Sequence, residues 1–110
     1  MRRYSYLQFP NDLTQSTTED KPYGMNATAT YASVDSNITT LDSADATIVN
    51  PAGASSSISA GDIEITGLRV IVNLRQSKVP SAGEYVLKIR GHSNSTIVDA
   101  AVDLTILVVA

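Results

Sequence analysis

From Met25 the chain alternates between apolar and polar positions. Met25, Ala27, Ala29 and Tyr31 fall on one side of an extended backbone, with Asn26, Thr28, Thr30 and Ala32 on the other. That is the period of a half-buried strand. Residues 35–60 carry a fainter pattern, with short strands expected at 38–41 and 46–49. Asn50-Pro51-Ala52-Gly53 then predicts a turn, because Pro presets φ and Gly accepts positive φ. The Ser-rich residues 54–60 fit a loop or an edge strand. In the second half the alternation is longer. Ile63 and Ile65 lead to Gly67, after which Leu68, Val70, Val72 and Leu74 share a face. Tyr85, Leu87 and Ile89 share the next, and Thr96, Val98, Ala100, Val102, Leu104, Ile106 and Val108 a third. With turns expected at 80–83 and 91–94, these three segments predict an antiparallel meander.

Six or seven short strands in 110 residues predict an all-β chain folded as an antiparallel β-sandwich. One-sided alternation suits two sheets sharing one core; a small β-barrel is the alternative. Residues 1–24 read as a flexible N-terminal arm ahead of a domain at 25–110. The arm begins with an alternating segment over residues 4–9, and residues 11–22 are polar with little to bury. Those residues are expected to form a loop or to order against a neighbour.

Composition narrows the partners. Hydrophobic residues make up 43% but include one Phe, five Tyr and no Trp, so the core must come mainly from Val, Ile, Leu and Ala. The net charge is −3, and Arg69, Arg75, Lys78, Lys88 and Arg90 alternate with apolar neighbours as on a solvated sheet face. No basic patch is there for nucleic acid or an anionic membrane. Without cysteine there is neither a disulfide scaffold nor a thiolate metal site. The Arg2-Arg3 pair has no apolar run behind it as a secretory signal would, and nothing approaches the ~20 apolar residues of a membrane span. The expectation is synthesis and folding in a cytoplasm.

Ser81-Ala82-Gly83-Glu84-Tyr85 resembles the turn that enters the penultimate strand of immunoglobulin-like domains. The resemblance implies a structural role for Gly83 and Tyr85, with the Tyr ring packed at the corner and its hydroxyl bonded to nearby backbone. The cysteines and core Trp of antibody domains are absent, which excludes that branch. The plainer alternative is that Gly-x-Tyr after a Pro turn simply starts a strand. His92 is the single histidine, in an expected turn and without a partner to make it an acid, base or nucleophile activator. Asp35, Asn37, Asp42 and Asp45 are spaced oxygen donors lacking the Gly and Glu of a calcium loop. Asn26, Asn37 and Asn94 open N-x-S/T triplets of the kind a Ser/Thr-rich chain generates by chance. No catalytic set, cofactor or metal is expected.

The last residues, Leu104-Thr105-Ile106-Leu107-Val108-Val109-Ala110, are apolar on both faces, as in a strand covered on both sides. Either the arm covers the outward Leu107 and Val109 or another subunit does. Tyr4, Tyr6, Leu7, Phe9, Leu107 and Val109 are therefore the candidate assembly contacts. Residues 25–110 resemble the small immunoglobulin-like or β-sandwich virion proteins of tailed bacteriophages. The likeness rests on the Gly83-Glu84-Tyr85 turn, the paired C-terminal strands and a low-charge Ser/Thr/Ala-rich composition. It implies a non-enzymatic homo-oligomer that decorates a capsid, joins head to tail or builds a tail, gripping other protein subunits by arm and strand edge. Two other classes remain. A cell-surface or glycan-binding module would group exposed aromatics at one loop end, with Tyr23 and Tyr31 the candidates. An inhibitor or accessory domain would present a protruding loop, for which residues 50–61 serve.

Overall fold

Two β-sheets face each other across one apolar layer in the computed structural model, which describes residues 8–9 and 13–110. One sheet has four strands in the order β1 (Gln8–Phe9), β3 (Lys21–Asn26), β7 (Arg69–Leu74), β6 (Ile63–Thr66). The other has five: β2 (Thr14–Ser16), β9 (Ala100–Val109), β8 (Gly83–His92), β4 (Ser43–Val49), β5 (Ser55–Ser57). Lettered along the chain, these orders read A-B-E-D against G-F-C-C′, with the first strand divided between the sheets. That is the immunoglobulin-like sandwich. All pairings are antiparallel except β2, which runs parallel to β9.

The period-two residues build the core. Tyr23 and Met25 on β3 and Val70, Val72 and Leu74 on β7 are almost wholly buried. Facing them are Ala46 and Ile48, Leu87 and Ile89, and Leu104, Ile106 and Val108. Each large aliphatic side chain removed from water here stabilises the fold by about 1.5–3 kcal/mol before entropy is charged against it. Gly91, near the end of β8, has Leu41 packed on it: an added Cβ would sit 2.8 Å from Leu41 Cδ1. A strand glycine marks such close approach.

Four expectations need correcting. The arm does not extend to residue 24. Thr14–Ser16 pairs with β9, and Lys21–Asn26 lies between two partners, so the 24/25 boundary cuts through β3. Gln15, polar in sequence, is fully buried because its Nε2 donates to the carbonyls of Glu19 (2.9 Å) and Leu74 (3.0 Å), tying β2 to the end of β7. Second, the strand begun at Met25 stops at Asn26. Asn26 Oδ1 accepts from Thr28 N (2.9 Å) and Thr28 Oγ1 (2.6 Å), opening a short helix α1 (Thr28–Ala32). Ala27 and Tyr31 are buried together at helical i, i+4 spacing, while Ala29 is exposed. Third, β7, β8 and β9 are no meander: β7 belongs to the opposite sheet, and only β8 and β9 pair. The eight positions 75–82 exceed the ~2–5 residues of a hairpin loop and cross between sheets. Fourth, β8 runs through Gly91 and His92, residues 93–99 are loop, and residues 38–41 form no strand.

Candidate assembly surface

The register assembles the outward face of the five-stranded sheet row by row. Toward one end, Arg90 lies opposite Asp45 and Ala101, and Lys88 opposite Thr47 and Asp103. Mid-sheet, Val86 lies between Val49 and Thr105. At the far end Leu107 stands between Glu84 and Thr14, followed by Val109 beside Ser16. Charge thus gives way to apolar surface along the strands. Leu107 is 50% and Val109 40% exposed, whereas their inward neighbours Ile106 and Val108 are closed. Of the described part of the arm, β2 extends the sheet sideways and does not lie over Leu107 and Val109.

The sequence-derived contacts separate in space. Leu107 and Val109 sit together on this face. The backbone of Phe9 pairs with Gly24 in the other sheet, and Tyr4, Tyr6 and Leu7 lie outside the described residues. Gly83 and Tyr85 meet at the corner between β7 and β8. There the Tyr85 hydroxyl donates to Ser81 O (2.9 Å) and Ser81 N donates back to it (3.4 Å). Gly83 adopts φ 146°, with Pro51 so close that an added Cβ would lie 2.7 Å from its Cγ. Beside this corner opens a cleft of about 470 Å³, lined among others by Asn50, Pro51, Ser55, Ser56, Lys78 and Ser81. Lys78 Nζ closes one side by donating to Ser57 O at 3.0 Å.

The opposite end is held by polar turns. Tyr31 OH donates to Val98 O (2.9 Å), Asn94 N to Asp42 Oδ2 (2.6 Å), and Asn37 N to Asp35 Oδ1 (2.9 Å). Burial above all, then the charge of Asp99, raises the Tyr31 hydroxyl above its ordinary range. His92 Nδ1 lies 2.7 Å from Asp99 Oδ1, and this hydrogen bond is the main reason the imidazole's pKa is raised. Asp35 and Asp42 are thus engaged in turns, and among the described residues no group of three His, Asp or Glu is placed around a metal. Tyr23 and Tyr31, the aromatic candidates for glycan contact, are both fully buried. What sequence reading missed here is Ile97. Expected within a strand, it stands on the β8–β9 loop 97% exposed. No helix among the described residues is long and apolar enough to cross a membrane. No protein-family model matches the chain, and no curated protein matches it.

Proposed function

We propose that the chain is a non-enzymatic structural component of a larger protein assembly, docking other subunits through the outward end of β9. The observation that carries this is the adjacent exposure of Leu107 and Val109 at one end of the outward sheet face, away from the charged rows of Arg90 and Lys88. Apolar side chains on a regular sheet invite association unless a partner covers them. A virion component, such as a capsid decoration, head–tail or tail protein, is the assembly that fits best. Supporting it are the cysteine-free low-charge composition and the immunoglobulin-like strand order. A second reading, a cell-surface binding module, has the fully presented Ile97 in its favour and the burial of Tyr23 and Tyr31 against it.

The test is a pair of surface substitutions, Leu107→Ser with Val109→Thr, compared with the unaltered chain by sedimentation equilibrium. Because both side chains point outward, the fold should keep its midpoint within about 0.5 kcal/mol. Association should weaken tenfold or more, on the order of the ~1–2 kcal/mol that each buried anchor supplies. Unchanged association would remove β9 from the contact.

A further inference from the structure

The edge strand β5 has a property that its neighbours lack. Asn50 N donates to Ala54 O and Ile58 N to Ala46 O, both at 2.9 Å, on either side of the Ile48–Ser56 pairing. In an antiparallel ladder hydrogen-bonded pairs alternate with non-bonded ones, so Ala54, Ser56 and Ile58 turn their backbone groups toward β4. Ser55 and Ser57 therefore aim their N–H and C=O outward, on the open side of the sheet. All three serines are exposed. The Ser57 carbonyl takes Lys78 Nζ at 3.0 Å, which leaves it a second lone pair.

Edges of this kind are ordinarily guarded by charge, Pro or a bulge. The other margins are shielded or short: β6 carries Glu64, and β2 has three residues whose Thr14 carbonyl accepts Lys21 Nζ. Residues 46–61 contain no charged side chain, and β5 itself is Ser-Ser-Ser. The charge beside it is the Lys78 ammonium, which reaches the Ser57 carbonyl from the 75–82 crossover and leaves Ser55 and Ser56 clear.

We propose that β5 is a self-pairing edge, at which a second copy of the chain adds its own β5 antiparallel about a two-fold axis through Ser56. In that register Ser55 of one copy faces Ser57 of the other, and each such pair exchanges two backbone hydrogen bonds. Ser56 meets Ser56 of the second copy in a non-bonded pair, where Cα atoms approach to ~4.5 Å. The two five-stranded sheets become one continuous sheet. A small uncharged side chain at position 56 is what an isologous strand contact requires, since a charge on the axis would meet itself. This deepens the assembly reading and rests on it. The β5 edge and the outward face of β9 are separated by β4 and β8, so the two contacts together build assemblies larger than a dimer.

The two-fold makes a distinctive test possible. Ser56→Glu and Ser56→Lys each place like charges against one another only if residue 56 faces itself. Each variant alone, folded by circular dichroism, should show its dissociation constant raised on the order of tenfold or more by that repulsion. An equal mixture of the two should recombine into a heterodimer at least as tight as the unaltered pair, read by light scattering with one variant mass-tagged. Three results would overturn the proposal: a monomeric unaltered chain, single variants that associate normally, or single variants that dissociate without recombining when mixed. Single variants that associate normally, alongside loss of association by Leu107→Ser/Val109→Thr, would refute the β5 edge while leaving the β9 contact standing.

Discussion

Replacing Gly83 by Ala should be the most damaging single-methyl change at the surface of this protein. Gly83 opens β8 with φ 146°, a backbone region that residues with a Cβ rarely adopt. Strain of that kind costs about 1–3 kcal/mol. The added methyl would also lie 2.7 Å from Pro51 Cγ and 3.3 Å from Pro51 Cβ, too close for either to stay in place. Overpacking of that sort costs about 1–3 kcal/mol more. The sum, about 2–6 kcal/mol, compares with a total stability of roughly 5–15 kcal/mol for a domain of this size. Melting should fall by about 8–24 °C at ~4 °C per kcal/mol. Two other glycines separate the contributions. Gly53 has φ 91° but nothing within 4 Å of an added Cβ, so Gly53→Ala should show strain alone. Gly61 has open space and no positive φ, so Gly61→Ala should be neutral or stabilise by about 0.4–1 kcal/mol. The assay is urea unfolding followed by far-ultraviolet circular dichroism, with Pro51→Ala combined with Gly83→Ala to relieve the closest contact. A Gly83→Ala loss no larger than that of Gly53→Ala, with no recovery in the double variant, would refute the packing argument.

Three further outcomes follow from the hydrogen bonds. Tyr85→Phe removes the hydroxyl that donates to Ser81 O and should cost about 0.5–1.5 kcal/mol in the same unfolding assay, since Ser81 is exposed enough for water to replace the bond. Tyr31→Phe releases Val98 O and should speed amide exchange in the 93–99 loop more than in β8. For His92, the folded pKa lies above its ordinary ~6.5. Stability from its contact with Asp99 is therefore fully present below about pH 6.5 and is lost as pH rises through the higher folded value. His92→Gln should flatten the fall in melting temperature over that window; an unchanged pH profile would contradict the pairing.

How far the sequence was legible depends on the kind of information each residue carries. The alternation over 68–75, 85–90 and 96–108 announced strands, found at 69–74, 83–92 and 100–109, because a side chain's face is a local property. The Gly83–Tyr85 spacing likewise pointed to a corner, since a turn and its bracing hydroxyl lie within a few residues. Pairing is not local, and β7 was read as a neighbour of β8 although it crosses to the other sheet. Around Ala27 and Tyr31 the two periods coincide, because positions four apart share a face in strand and helix alike. The discriminating residue was Ala29, too small to signal which side it prefers. Gln15 was misread for another reason: its burial depends on carbonyls supplied by Glu19 and Leu74, one of them 59 residues away. At the candidate surface, Leu107 and Val109 were visible as apolar excess on a strand already apolar inside. The bare β5 edge was not, since a run of serines reads equally as a loop, and only the register shows which backbone groups face outward.

The central claim is that this sandwich exists to be assembled. It is tested most directly by the mass of the unaltered full chain, measured by light scattering across a dilution series. A mass above that of the 11.7 kDa monomer, retained at moderate dilution and decreasing in steps toward it, is the predicted result. A single monomeric mass at every concentration would contradict self-assembly through both β5 and β9.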